Sequence, residues 1–150
     1  MMLPPSNPSF ADEVRQSFAK QAIMGLIGGE LTRVEPGVVE ITLPYRADLT
    51  QQDGYVHAGI VATIADSACG YAAYSLMPPE SEVLAVEFKV NLMRPAKGER
   101  FVAHAEVIKP GRTLTVVRAD VFATSGGERQ LVATMQGTMM RLPRRSDFSA

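Results

Sequence analysis

Residues 58–76 read AGIVATIADSACGYAAYSL, apolar or small at almost every position. A stretch of that length with no polar face suits a helix buried on nearly all sides, and Pro78-Pro79 supplies a stop. The segments around it read as strands. Upstream, residues 30–35 and 38–43 flank the turn signal Pro36-Gly37. Downstream the pattern has period two: Val86, Phe88, Val90 and Leu92 fall on one side, Ala85, Glu87, Lys89 and Asn91 on the other. Residues 101–109, 113–124 and 129–140 are equally rich in strand formers, and the links at 95–98, Pro110-Gly111 and Gly126-Gly127 are turns. Links this short imply antiparallel neighbours. The expected fold is therefore α+β, a curved antiparallel sheet wrapped around one long central helix.

At the N-terminus, residues 1–10 are rich in Pro, Ser and Asn and read as a loose arm. Phe10, Val14 and Phe18 recur every four residues, which predicts an amphipathic helix over 9–24, broken by Gly25, Gly28 and Gly29. Residues 44–55 are a polar loop, and the end of the chain, with Arg141, Arg144 and Arg145, reads as frayed and solvated. The chain thus divides into an arm and helix (1–28), a main domain (29–142) and a polar tail (143–150).

A chain of 150 residues makes one core the expectation. Fifteen basic against sixteen acidic residues give a net charge of −1, which argues against nucleic acid as a partner. The lone Cys69 cannot form an internal disulfide, the N-terminus lacks a signal-peptide pattern, and no apolar run reaches the about 18 residues of a membrane span. The expected location is the cytoplasm.

Asp66 is the one formally charged residue in 58–76. An unpaired buried carboxylate costs stability, and a buried ion pair often only breaks even. Asp66 is therefore either a catalytic carboxylate or a group that caps a neighbouring element or pairs with a basic residue from the sheet. Gly59, Ala62, Thr63, Gly70 and Ala73 lie three, four or seven positions away and share its helix face. All are small, which leaves room for a substrate or for a second helix. His57-Ala58-Gly59 opens the helix, where free N–H groups and the positive end of the dipole suit an oxyanion. Seven residues at about 1.5 Å each put Gly59 roughly 10 Å from Asp66. One carbonyl cannot touch both, so joint action on one bond requires the two groups to come from different chains, for example across a two-fold axis.

Other chemistries find little support. His57 and His104 are the only histidines, and no His-Glu-x-x-His pattern occurs, so no metal site is expected. There is no Gly-x-Ser-x-Gly elbow, and Gly25 to Gly29 lacks dinucleotide spacing. Cys69 reads as inert core, and the methionines as core with Met24, Met77 or Met93 available to line an acyl pocket.

Gly54-Tyr-Val-His57-Ala-Gly59 followed by Asp66, and then Val86-Glu-Phe-Lys-Val-Asn-Leu-Met-Arg-Pro-Ala-Lys-Gly98, resemble the hotdog-fold acyl-CoA thioesterases, in particular the phenylacetate-pathway (PaaI-like) branch. The likeness spans about residues 29–142 and implies a hotdog domain that hydrolyses an acyl-CoA thioester to free acid and coenzyme A. It implies that Asp66 is the general base or nucleophile and that the oxyanion amide is that of Ala58, with Gly59 beside it. Gln51 would position water or the substrate carbonyl, and His57 would orient the loop. Thr63, on the acid's face, is a candidate substrate-binding residue. Arg94, Lys97 and Arg112 are candidates for the phosphates of coenzyme A. No cofactor is implied, since coenzyme A belongs to the substrate; the implied assembly is a homodimer or homotetramer. Two positions depart from the pattern: Ala58 replaces the middle glycine of Gly-x-x-His-Gly-Gly, and Ala85 stands where relatives often have Ser or Thr. They motivate a second reading, an acyl-CoA-binding protein without turnover. A third is a hotdog hydratase or dehydratase using His57 with Asp66.

Overall fold

The structure is a computed structural model that describes residues 3–145. Six strands, β1 (Glu30–Glu35), β2 (Val38–Pro44), β3 (Ser81–Leu92), β4 (Arg100–Lys109), β5 (Leu114–Ser125) and β6 (Glu128–Pro143), form one antiparallel sheet in the order β1-β2-β4-β5-β6-β3. Helix α3 (Ala58–Tyr74) packs against β2, β3, β4, β5 and β6. A helix about 10 Å wide can meet five strands spaced about 4.8 Å apart only if the sheet curls around it. Small residues let it approach: Ala103, Ala105 and Ala119 of the sheet and Ala65, Ala68 and Ala72 of the helix are all fully buried in one core. Along β5, Val117, Ala119 and Val121 are buried while Arg118 is exposed and Asp120 half-buried, the alternation that a one-sided sheet demands.

Helix α3 ends at Tyr74, well before the prolines. Ser75 is the reason: its Oγ donates to the Ala72 carbonyl at 2.7 Å and accepts the Gly37 N–H at 2.8 Å, tying the helix end to the β1–β2 turn. Nor is α3 buried all round. Ala58, Gly59, Ile60, Ala62, Thr63, Asp66 and Gly70 remain outside the buried set, so one side of the helix lies uncovered in a single chain. Ala73 departs from this face: it is fully buried, sharing a wall with Leu3 and Pro4.

Strand β3 is an edge, paired only with β6. A bulge between Ala85 and Glu87 takes Val86 out of the alternation expected for it. Phe88, Val90 and Leu92 lie opposite Gly137, Met135 and Ala133 and face inward, yet Phe88 is 44% and Leu92 56% exposed. The inner face of this edge has no cover within the chain.

The predicted N-terminal helix is two helices, α1 (Phe10–Ala19) and α2 (Ala22–Ile27), with an elbow at Lys20-Gln21 where Gln21 turns extended. Gly25 lies inside α2, which ends instead at Gly28, φ +83°, a conformation that favours glycine. Val14, Met24 and Ile27 are buried in the same core as α3. The arm is not loose over its described part: Asn7 is buried and accepts the Ser9 N–H through Oδ1 at 2.9 Å. The basic end is not frayed either. Arg141 belongs to β6 and donates to Ser81 Oγ at 2.8 Å, and Arg144 pairs with Glu13 at 3.3 Å. Residues 1–2 of the expected arm and 146–150 of the expected polar tail lie outside the described residues.

Candidate active site

Asp66 projects from the uncovered side of α3 into a cavity of about 310 Å³ that it shares with Gly70, Ala85 and Met139. Its Oδ1 is buried with no hydrogen-bond partner, the one such side-chain atom among the described residues. Among the described residues it caps nothing and pairs with no basic residue. Burial holds its carboxyl above the usual carboxylate range. A Cβ on Gly70 would meet nothing within 4 Å, so the space beside the acid is open. Ala85 presents only a methyl to this cavity, where a hydroxyl would have offered the carboxylate a donor. Thr63 bonds back along the helix, its Oγ1 donating to the Gly59 carbonyl at 2.8 Å.

The opening of α3 is built by its own cap. His57 takes φ −59°, ψ 138°, and its Nδ1 accepts the Gly59 N–H at 2.8 Å. The His57 carbonyl takes the Ile60 and Val61 N–H groups at 2.9 and 3.2 Å. With Gly59 satisfied by the ring, the Ala58 N–H is the first-turn donor left without an acceptor among the described residues. The resemblance implies the Ala58 amide as the oxyanion donor with Gly59 beside it; in the structure the Gly59 N–H is taken by the cap and the Ala58 N–H is free.

Ala58 lines a second cavity, of about 430 Å³, with Gln51, Tyr55, Met93 and Arg94. Gln51 Oε1 accepts the Asp53 and Tyr55 N–H groups at 2.6 and 3.2 Å. That fixes the amide and leaves Nε2, with only a 3.5 Å contact to Asp53, as the end able to donate. No residue is common to the two cavities. Within one chain the acid and the amide donors therefore stand apart, as the helical rise requires.

The basic candidates separate in the same way. Arg94 lines the Ala58 cavity, its Nη1 donating to the Leu131 carbonyl at 2.9 Å, and Lys97 is exposed in the turn that follows. Arg112 lies at the other end of α3, near Ala73 and Leu76, and cannot join Arg94 on one ligand within a single chain. Met93 lines the second cavity, whereas Met24 and Met77 are buried core. Cys69 is buried, its thiol pushed up to about 12 by burial and by the Asp66 charge, which makes it inert at neutral pH. Spacing along the chain missed Ser17, Gln21 and Tyr71, which also wall the Asp66 cavity; they come from α1, the elbow and α3, and only the elbow brings them together.

Residues 53–130 match the model of the Thioesterase superfamily. A solved thioesterase family protein of Silicibacter pomeroyi is similar at 54% identity and a TM-score of 0.88, over 89% of this chain and 98% of its own. The PaaI protein of the Escherichia coli phenylacetic acid degradation operon shares the fold, with a TM-score of 0.82 at 18% identity over 91% of this chain and 95% of its own. Human acyl-coenzyme A thioesterase 13 is 28% identical over 121 residues, 77% of this chain and 84% of its own. Several archaeal relatives, up to 32% identical, carry no more than a provisional esterase name. The chain belongs to the thioesterase superfamily, and its architecture is the hotdog fold. No helix among the described residues is long and apolar enough to cross a membrane.

Proposed function

We propose that this protein hydrolyses acyl-CoA thioesters at a site shared between two copies of the chain. Asp66 of one copy activates water or attacks the carbonyl itself. The Ala58 N–H and Gln51 Nε2 of the other receive the negative charge that develops on the carbonyl oxygen. The observation that carries this reading is the buried, unpartnered Asp66 Oδ1 facing an open cavity: such an atom is costly unless a ligand or a partner's helix end completes it. A facing helix N-terminus would also help keep Asp66 ionised. Thiolate is a good leaving group, so a base and an oxyanion site suffice without a strong general acid.

Support for the second copy comes from two adjoining surfaces that the chain leaves open. One is the small-residue side of α3; the other is the β3 edge, with its unpaired backbone and inward-facing Phe88 and Leu92. Acyl-CoA as substrate is supported by the human relative's name. Ala85 favours the second reading, binding without turnover, because its methyl offers no hydrogen bond to a water beside Asp66. The hydratase reading loses ground to the cap: His57 Nδ1 is engaged by Gly59. The test is thiol release from a panel of acyl-CoAs by wild type and Asp66→Asn. Hydrolysis that falls by about 10²–10⁴ in the variant supports the proposal; tight binding with no turnover by the wild type supports the second reading and ends the first.

A further inference from the structure

The cavity beside Asp66 is closed on one side by the elbow between α1 and α2, and that wall is polar. Ser67 Oγ donates to Gln21 Oε1 at 3.0 Å. This orients the Gln21 amide and leaves its Nε2 without an acceptor. Lys20, next along the elbow, lines the same cavity and has no acidic partner among the described residues. The Ser17 and Tyr71 hydroxyls, 3.2 Å apart, complete that side. The far wall is apolar, with Val83, Ala85 and Met139. At about 30 Å³ per water-sized atom, 310 Å³ accommodates on the order of ten atoms.

The shared site described above gives this space a role. If the coenzyme A end of the substrate lies toward Arg94 and Lys97 beside one copy's Ala58, the acyl group runs past the other copy's Asp66 and into this cavity. An alkyl chain there would strip water from the Gln21 amide and return no hydrogen bond to its Nε2. An oxygen on the acyl group supplies that bond. We propose that the enzyme prefers short acyl groups bearing a hydrogen-bond-accepting oxygen, hydroxyl or carboxylate, several bonds beyond the thioester carbonyl, read by Gln21 Nε2 and Lys20. The proposal rests on the thioesterase reading.

Hexanoyl-CoA, 6-hydroxyhexanoyl-CoA and adipoyl-CoA differ only at that far end. For the wild type we expect kcat/KM at least about tenfold higher for one or both oxygenated substrates than for hexanoyl-CoA, roughly the worth of one satisfied polar group. Gln21→Leu should erase the preference for both, and Lys20→Met only that for the carboxylate. Equal or better hydrolysis of hexanoyl-CoA overturns the proposal and leaves the hydrolase reading intact. Calorimetric binding of the three thioesters to the Asp66→Asn protein reads the same preference without turnover. Equal affinities there overturn the proposal. A retained preference in binding, with a wild type that releases no thiol, upholds the pocket assignment and overturns hydrolysis.

Discussion

On the outer face of the sheet, charges come with partners. Arg33 reaches Glu35 at 3.0 Å and Glu40 at 3.5 Å, and His104 sits between Glu40 at 2.7 Å and Glu106 at 2.9 Å. Arg118 holds Asp120 at 3.1 Å, and Thr134 donates to the same carboxylate at 2.6 Å. On the inner side of the fold, one carboxylate, Asp66, stands half-buried with nothing to hold it. The outer pairs join residues two apart on one strand or neighbours across strands, with water at hand, and each contributes only a few tenths of a kcal/mol to about 1 kcal/mol. Asp66 opposes stability, because burial favours its neutral form while the charged form is the one a base requires. The charges of the outer face and the carboxylate to which the proposal assigns chemistry thus differ in whether the fold satisfies them.

The largest expected effect is at Asp66. Asp66→Asn should abolish turnover and at the same time raise Tm at pH 7 by about 3 °C, what 1 kcal/mol is worth in a chain of this size. The raised carboxyl favours the fold when protonated, and that contribution is lost as pH rises from the ordinary carboxylate value through the raised one. The Tm gap between variant and wild type should therefore shrink as pH falls back through the same window. The acid limb of the wild-type rate should lie above the ordinary carboxylate range. A variant no more stable than wild type at pH 7 would mean that the partner's helix end offsets the burial of Asp66 in the assembled protein.

Phe88→Lys comes next. Placing an ammonium on the uncovered inner side of β3 should shift the protein to monomers in sedimentation and remove activity, while circular dichroism shows the fold intact. Full activity in a monomer would sever the link between the edge strand and the site.

The helix cap is worth less. His57→Ala should cost about 1 kcal/mol in denaturant unfolding, and His57→Asn, which restores a cap acceptor, should recover most of it. If both variants unfold alike, the His57–Gly59 bond is not a working cap. The smallest effect belongs to the outer face: Arg118→Ala should change stability by under about 1 kcal/mol and leave kcat/KM unchanged. A large loss there would erase the contrast between the two faces.

The parts of this molecule that were legible in the sequence are those dictated by local pattern. Strand β1 was placed to the residue and β2 to within one, because Pro36-Gly37 marks the turn between two β-branched runs, and the start of α3 was fixed by His57-Ala58-Gly59. Asp66 stood out because a lone charge in a greasy helix is a conflict visible in one dimension. What escaped was set by contacts distant in the chain. Ser75 stops α3 through Gly37, nearly forty residues away, and nothing in Ala19-Lys-Gln-Ala22 foretells the elbow that lets Gln21 reach Ser67. The bulge at Val86 likewise follows from pairing with β6. That the Gly59 N–H is taken by the His57 ring is also a detail no spacing rule carries.

Two damaged chains can test whether the site is shared. Ala58 is the first helical residue, a position where proline is well tolerated, and His57 already has the extended ψ of 138° that a following proline requires. Ala58→Pro therefore deletes the free N–H with little other disturbance. Alone, the Ala58→Pro and Asp66→Asn proteins should both be nearly inactive. Unfolded together and refolded as an equal mixture, half the dimers contain one chain of each kind, and each such dimer holds one complete site, so activity should return to about a quarter of wild type. A mixture as dead as its components would contradict the account, since acid and amide would then have to act within a single chain.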